Sequence, residues 1–158
     1  IEKSSGKYIA FCDDDDIWFP DKIQKQLIVM KETGCKMSST EGLLGKGLYD
    51  STKTYKKYIS EANYRIIKGK YERKGSTFLK NGIPKIWTYN FLKIHNCIIC
   101  SSVVIEKSIL DKIQNMKCVK NGQEDYDCWL RALQHTDSVF VKDICIYYDI
   151  NHGDGRNY

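Results

Sequence analysis

The sequence predicts an α/β fold of Rossmann-like character, in which helices flank a mixed and mostly parallel sheet. A short, continuously apolar run at residues 7–12 has the character of a buried parallel strand, and an acidic loop and a helical pattern follow it. Runs rich in Ile and Val recur at residues 97–105 and 138–148, with helical patterns between them. These strand and helix patterns are the basis of the predicted fold class.

A single domain, residues 1–158, is predicted from the length of the chain. The composition, 42% hydrophobic and 28% charged, is globular, and no apolar stretch approaches the roughly 18 to 20 residues of a membrane span. The chain begins with Ile1 rather than Met, and its first strand pattern starts almost at once. We therefore expect further sequence ahead of Ile1.

The first helix is predicted to begin near Pro20, which suits a first helical position, and to end at Gly34. Its apolar positions recur at helical spacing, at Ile23, Leu27 and Met30. Residues 36–96 then show little periodicity apart from a weak helical pattern at residues 54–74. A long segment of this kind is more often a binding region than filler, so residues 36–96 are predicted to be an insertion that binds a ligand.

Two further helices and a final strand region are predicted in the second half of the chain. The apolar positions of these helices are Ile109, Leu110, Ile113 and Met116 in the first, and Tyr126, Trp129, Leu130 and Leu133 in the second. A turn at Asn121 and Gly122 places Glu124 and Asp125 at the N-terminal end of the second helix. One or two strands are predicted at residues 138–148, ahead of a polar, glycine-rich tail.

The distribution of charge argues against a nucleic-acid-binding domain, and the cysteine content argues against a zinc-binding one. The formal charge of +5 comes largely from lysines scattered over residues 46–80, so a nucleic-acid-binding domain is a weaker interpretation and no nucleic-acid partner is expected. The seven cysteines lie mostly in apolar runs, as buried thiols in a reducing compartment do. Cys97 and Cys100 have zinc-site spacing, but no second pair of this kind follows.

Four consecutive aspartates, residues 13–16, follow the first strand pattern, at the end of a strand where open α/β sheets bind ligands. Adjacent carboxylates repel each other, and a hard divalent cation converts that repulsion into shared attraction. Alternate carboxylates, Asp13 and Asp15, can face one side. The pattern therefore predicts Mg²⁺ or Mn²⁺ completed by substrate phosphates. The alternative is a solvated loop in which one Asp caps the following helix.

Glu124 and Asp125 form a second acidic constellation with two interpretations of equal weight. Acidic residues suit the first turn of a helix, where the helix dipole favours negative charge. A carboxylate at this place could equally act as a general base that takes a proton from an attacking hydroxyl.

Taken together, "GKYIAFCDDDDIWFPDKIQKQ", "CSSVVIEKSIL" and "EDYDCWLRAL" resemble family 2 glycosyltransferases, which have the GT-A fold. The resemblance implies inverting transfer of a sugar from a nucleotide-sugar to an acceptor hydroxyl, with Mn²⁺ or Mg²⁺ at an Asp-x-Asp motif. By position, Asp15 matches the direct metal ligand, and Asp13 matches a residue that contacts the ribose or reaches the metal through water. Asp125 matches the catalytic base, and Glu124 matches its neighbour near the acceptor.

Four further positions carry weaker expectations from the resemblance. Trp18 and Trp129 could line the acceptor site, although Trp129 is better explained as a core residue. Arg131 could support a phosphate or Asp125, and His152 could complete the metal site. Asp14 and Asp16 are left to cap or support the acidic loop, Asp16 by a hydrogen bond from behind.

The family's N-terminal nucleotide-binding strands have no counterpart here, so the resemblance implies the later part of a GT-A domain with about 80 to 100 residues ahead of it. Residues 36–96 lie where the family builds acceptor specificity. The implied partners are a UDP-linked donor and a glycan or other hydroxyl acceptor, in the cytoplasm or at the cytoplasmic face of a membrane. A non-catalytic sugar- or metal-binding module derived from such an enzyme is the alternative, since activity of this chain alone is left open.

Overall fold

The computed structural model describes residues 1, 3–119 and 122–151. Its strands are β1 (Tyr8–Ala10), β2 (Ile17–Trp18), β3 (Met37–Gly45), β4 (Lys56–Lys57), β5 (Ile86–Trp87), β6 (Val104–Glu106) and β7 (Ser138–Asp149). Its α-helices are α1 (Lys22–Thr33), α2 (Tyr64–Arg73), α3 (Tyr89–Leu92), α4 (Lys107–Lys112) and α5 (Glu124–Ala132). A π-helix at Tyr58–Asn63 leads directly into α2, and a 3₁₀-helix at Cys100–Ser102 precedes β6.

One mixed sheet joins all the described strands, in the order β1-β6-β3-β7-β2. β3 and β7 pair in parallel along the whole of β3, from Met37 opposite Ser138 to Gly45 opposite Asp149. The remaining described pairs are short and antiparallel, with β4 on the end of β3 and β5 on the start of β7. The predicted α/β class with a mixed sheet and flanking helices is confirmed.

The first predicted helix is confirmed as α1, which begins at Lys22, two residues after Pro20. It ends at Gly34, whose φ of 73° is the left-handed conformation that glycine adopts without a Cβ penalty. The face turned to the sheet includes a buried polar residue, Gln26. Its side-chain amide donates to the Ser38 hydroxyl and to the Ser102 carbonyl oxygen, both at 2.9 Å.

The prediction that regular structure is lost from Lys36 onward is wrong for Met37–Gly45. These residues form β3, which lies in the middle of the sheet. The strand is buried from Met37 to Gly42, although its sequence, MSSTEGLLG, is rich in polar residues. A strand covered on both faces normally carries a continuous apolar run, and its absence hides β3 from a periodicity search. The weak helical pattern at residues 54–74 corresponds to the π-helix and α2.

The strand predicted at residues 97–105 is wrong for its first part. Cys97, Ile98 and Ile99 are buried as expected, but pairing begins only at Val104. Local side-chain hydrogen bonds replace the ladder, because Asn96 Oδ1 accepts the Ile98 N–H and the Ser102 hydroxyl donates to the Ile99 carbonyl.

The later elements follow the predicted order. α4 is shorter than expected because Gln114 and Asn115 adopt positive φ angles of 60° and 61°, which end the helix before Met116. α5 has the expected position, and β7 is one continuous strand. Trp129 is fully buried with its ring edge-on to Phe11 at 5.1 Å, so its predicted place in the core is confirmed.

Glu41 is the buried charge that attaches the π-helix to the sheet. It lies at a register irregularity of β3 and is 1% exposed. One carboxylate oxygen accepts the N–H groups of Gly42 (3.0 Å) and Ile59 (2.8 Å), and the other accepts the N–H of Ser60 (2.9 Å). Glu41 therefore provides acceptors for two otherwise unpaired donors in the first turn of the π-helix.

We expect Glu41→Gln to lower the free energy of unfolding by about 1–3 kcal/mol, because an amide nitrogen cannot accept the N–H bond of Ser60 or Ile59. Urea unfolding of both proteins measures the change. The control is Glu61→Gln, an exposed residue of the same π-helix, for which we expect a change within about 1 kcal/mol. Equal effects of the two substitutions would contradict the role given to Glu41.

Candidate active site

A cavity of about 910 Å³ brings together three of the acidic residues that the sequence singled out, Asp13, Glu124 and Asp125. Asp15, the expected metal ligand, is not among the described residues that line it. Asp13, from the loop after β1, lines it together with Glu124 and Asp125, from the first turn of α5. Tyr58 of the π-helix and Tyr148 of β7 line it as well. Side chains from four separate stretches of the chain therefore face one space large enough for a sugar.

The acidic loop, residues 13–16, is held in place by Ser101 of the 3₁₀-helix. The Asp13 N–H donates to the Ser101 hydroxyl oxygen at 2.8 Å, and the Trp18 indole N–H donates to the Ser101 carbonyl at 2.9 Å. The Asp16 N–H closes the loop on the Asp13 carbonyl at 3.3 Å. Ser101 is fully buried, so both ends of the loop are attached to one rigid point of the core.

Asp16 supports the loop from behind, as the sequence led us to expect. Its carboxylate is 8% exposed and accepts the Asp149 N–H at 3.0 Å. Burial raises the pKa of Asp16 to about 6, against the lowering effect of hydrogen bonds from the Ser101 hydroxyl and the Asp149 N–H. The negative charges of Asp15 and Asp13 raise the pKa further, and the loop is thus a region of negative potential.

Asp125 is half-buried in the wall of the cavity, and burial raises the pKa of its carboxyl above the ordinary aspartate value. Hydrogen bonds from the Tyr126 N–H, at 2.6 Å, and from the Asn96 side chain lower this pKa, whereas the neighbouring charge of Glu124 raises it. A carboxylate with a raised pKa is a stronger base than an exposed one. The Tyr126 hydroxyl donates to the Leu92 carbonyl at 2.9 Å and fixes this turn of α5.

Trp18 and Arg131 make contacts other than those expected from the sequence. Arg131 Nε donates to Asp127 at 2.8 Å, and one of its terminal nitrogens donates to the Ile113 carbonyl at 2.6 Å. These bonds attach α5 to the end of α4, so Arg131 is engaged away from Asp125. Trp18 is held against the buried Lys22, whose ammonium lies 4.4 Å from the centre of the ring.

Four residues of the site were missed by sequence reasoning: Ser101, Asn96, Tyr58 and Tyr148. The two tyrosine rings meet edge-on at 5.4 Å, and burial raises the pKa of Tyr58 to about 12, so its hydroxyl stays protonated at neutral pH. Tyr58 lies in an irregular helix and Tyr148 near the end of a strand, and nothing in their spacing connects them. The sequence offered one signal, a serine inside an apolar run at Ser101, because a polar residue in a buried segment indicates a specific hydrogen bond.

The donor groups at the acidic loop suit a cation that shares its coordination with substrate. The described residues contain no group of three or more His, Cys, Asp or Glu side chains able to hold a metal. Asp13 and Asp15 alone match Mg²⁺ or Mn²⁺, which take one or two protein carboxylates and complete their shell with water and phosphate oxygens. His152, the third expected ligand, lies outside the described residues.

A zinc site at Cys97 and Cys100 finds no support in the described residues. Cys97 donates to the His95 carbonyl at 3.4 Å, and burial raises the pKa of its thiol to about 12.

Comparison with known families decides what kind of protein this site belongs to. The profile of "Glycosyl transferase family 2" matches residues 1–102, nearly two thirds of the chain. The chain belongs to glycosyltransferase family 2. The matched part of this glycosyltransferase chain contains the acidic loop and Ser101, whereas α5 lies beyond it. The mixed sheet and its flanking helices agree with part of a GT-A fold.

Named relatives of this glycosyltransferase chain are bacterial. Two are UDP-Glc:alpha-D-GlcNAc-diphosphoundecaprenol beta-1,3-glucosyltransferases of Escherichia coli: WfgD is 29% identical over 135 residues (85% of this chain, 41% of the relative), and WfaP is 28% identical over 137 residues (84% and 41%). The putative teichuronic acid biosynthesis glycosyltransferase TuaG of Bacillus subtilis (strain 168) is 48% identical over 40 residues (25% and 16%). The chain spans less than half the length of these relatives. In the described part of the chain, no helix has the length and apolarity needed to cross a bilayer.

The acidic loop depends on the Ser101 hydroxyl, so we expect Ser101→Ala to speed hydrogen exchange of the Asp13 amide, which loses its acceptor. Amide exchange followed by NMR measures the effect, and we expect a cost of about 1–2 kcal/mol in unfolding free energy. The matched control is Ser102→Ala, a neighbouring buried hydroxyl that donates to the Ile99 carbonyl instead. Unchanged exchange at Asp13 in Ser101→Ala would show that the loop is held by other contacts.

Proposed function

We propose that the protein containing this chain is an inverting glycosyltransferase that moves a sugar from a UDP-linked donor to a hydroxyl of a glycan acceptor. The observation that carries the proposal is the shared cavity of Asp13 and Asp125. Asp13 brings the acidic loop to this cavity, and the loop suits a cation and a diphosphate. Asp125 brings a half-buried carboxylate, which suits a general base.

In this proposal Asp125 takes the proton from the acceptor hydroxyl as its oxygen attacks the anomeric carbon. The bond from that carbon to the diphosphate oxygen breaks on the opposite face, so the configuration inverts in one displacement. Tyr126 and Asn96 hold Asp125 by hydrogen bonds while the proton transfers. No covalent intermediate is required, because a single base opposite the leaving group is sufficient.

Asp15 and Asp13 would hold Mn²⁺ or Mg²⁺ at the acidic loop, with donor phosphates among the remaining ligands. The cation would neutralise the charge that develops on the departing diphosphate. Ser101 and Asp16 keep the backbone of the loop fixed, so that the carboxylates need little reorganisation when the donor binds.

The acceptor would lie against Tyr58 and Tyr148, near Glu124. Sugars pack their C–H faces on aromatic rings, and the protonated Tyr58 hydroxyl can donate a hydrogen bond. The two Escherichia coli relatives are named for a sugar linked to diphosphoundecaprenol. By analogy we propose a lipid-linked glycan as the acceptor, and with it the cytoplasmic face of a membrane as the location of the enzyme.

We expect Asp125→Asn to lower kcat about 10²- to 10⁴-fold, because an amide cannot accept the proton, while donor binding is kept. Release of UDP from UDP-sugars by the full-length protein, with acceptor present, measures kcat. Asp127→Asn is the control, since Asp127 lies in the same turn and pairs with Arg131. Its kcat should change by less than about threefold.

Full turnover by Asp125→Asn would remove Asp125 as the base. A wild-type protein that binds the donor but never releases UDP would favour the non-catalytic module. The pH profile is an independent readout: since Asp125 must be deprotonated and burial raises its pKa, kcat should fall with decreasing pH sooner than for an ordinary aspartate. A profile flat down to the ordinary aspartate range would contradict this assignment.

Removal of divalent cations with a chelator should abolish turnover, and added Mn²⁺ or Mg²⁺ should restore it. We expect Asp15→Asn to weaken Mn²⁺ binding by at least about tenfold, since the loss of an outer-shell partner alone can weaken metal binding by this factor. Electron paramagnetic resonance with UDP present measures the affinity for Mn²⁺. Asp14→Asn is the matched control, because Asp14 is the exposed neighbour in the same loop. Equal losses in both variants would mean that only the overall charge of the loop matters.

A further inference from the structure

The outer face of α2 is the most basic surface segment that the cavity does not use. Residues 64–80 carry six basic side chains, Arg65, Lys68, Lys70, Arg73, Lys74 and Lys80, against one acidic residue, Glu72. The difference of +5 over this segment equals the formal charge of the whole chain. Positive charge is therefore concentrated here, and the rest of the sequence is balanced.

An open groove of about 620 Å³ runs along this face. Arg65 and Arg73 lie one turn to either side of Gly69, and Ile66 and Glu72 complete the lining. A Cβ on Gly69 would meet no atom within 4 Å, so the bottom of the groove is open to solvent. We call these five residues the α2 groove.

Apolar side chains are exposed in and beside the α2 groove. Ile66 in the groove is 56% exposed, whereas Ile67 and Tyr71 on the opposite face of α2 are buried. Phe78, in the loop after α2, is 43% exposed and packs its ring edge-on to the buried Phe91. A second groove between α2 and residues 76–80 shares Glu72 with the first, so the helix face and the loop form one continuous surface.

Basic side chains around an exposed aliphatic residue match the interface of an anionic bilayer. Phosphate headgroups attract lysine and arginine, and an aliphatic side chain gains free energy by entering the boundary of the acyl chains. A nucleic acid would use the basic side chains but would leave Ile66, between the two arginines, without a favourable environment. The composition of the surface therefore favours lipid.

The α2 groove is also connected to the cavity wall. The π-helix that begins with Tyr58 continues directly into α2, and the Lys70 ammonium lies 3.2 Å from a ring nitrogen of His95, the residue before Asn96. Tyr58 and Asn96 both line the cavity. α2 is thus connected, by the chain and by one side-chain contact, to residues of the proposed acceptor side.

We infer that the outer face of α2 docks the protein on an anionic phospholipid surface. The biological reason for docking, access to a lipid-linked acceptor, rests on the proposed function, but the docking itself does not. Arg65 and Arg73 bind headgroup phosphates, and Ile66 enters the interface between them.

Co-sedimentation of the full-length protein with vesicles tests this inference. We expect binding to phosphatidylcholine vesicles that contain phosphatidylglycerol, weakening as salt is raised, and little binding to phosphatidylcholine alone. The double variant Arg65→Glu/Arg73→Glu should weaken binding at least about tenfold, and Ile66→Ser about threefold or more. Arg65 and Arg73 are both exposed, so their reversal should leave the fold intact. Thermal unfolding of each variant checks that it folds.

The matched controls change the same charge and the same side chain elsewhere on the surface. Lys31→Glu/Lys112→Glu lies on α1 and α4, and Ile28→Ser replaces an isoleucine that is 50% exposed. Each control should retain binding within about twofold, since the effect of a distant charge is screened. Asp125→Asn should bind vesicles as the wild type does, so that loss of turnover and loss of docking are separate results.

Three outcomes would overturn the inference. The first is no binding to anionic vesicles by the wild type. The second is equal weakening by the groove variants and their controls, which would reduce the effect to net charge. The third is salt-dependent binding of an RNA or DNA oligonucleotide that the arginine reversal abolishes, without any vesicle binding, which would identify a nucleic acid as the partner.

Discussion

The parallel ladder between β3 and β7 is the pairing on which the other elements depend. β6 and β4 join the sheet through β3, and β2 and β5 join it through β7. Because the ladder runs the whole length of β3, it fixes the end of β7, where Asp149 donates to Asp16 and Tyr148 meets Tyr58. The positions of the acidic loop and of the Tyr58–Tyr148 pair therefore both depend on this ladder, and a shift in its register would displace both.

Three of the buried charged residues, Glu41, Asp16 and Lys22, each connect two parts of the fold. Glu41 accepts three backbone N–H groups and joins the π-helix to the sheet. Asp16 accepts the Asp149 N–H and attaches the acidic loop to the end of β7. Lys22 packs its ammonium over the ring of Trp18, and burial lowers its pKa to about 8. Asp125 differs from these three, because its half-buried carboxylate faces a cavity rather than the core. That difference in environment is the physical basis for giving it a chemical role.

The two interpretations of Glu124 and Asp125 turn out to be compatible. Three acidic residues occupy the first turn of α5, where the helix dipole favours them, yet the side chain of Gln123 at the N-cap makes no capping bond. Asp125 accepts the N–H of Tyr126 and also lines the cavity. Position at the start of a helix and exposure to the cavity are therefore properties of the same carboxylate. The spacing in the sequence could not separate them, since both need an acidic residue at the same place.

The sequence by itself determined the elements that local pattern encodes: α1 with its end at Gly34, α5, a final strand region that the structure shows to be one strand, and the family to which the acidic motifs belong. Periodicity reports which face of a local element is buried, and motifs report residue types at fixed spacing. Only the tertiary structure decided that a polar stretch is the central strand β3, that Ser101 holds the acidic loop, and that Tyr58 and Tyr148 meet at the cavity. These features rest on contacts between residues distant in the chain, whose partners are chosen by hydrogen-bond satisfaction in the folded core and leave no periodic trace in the sequence.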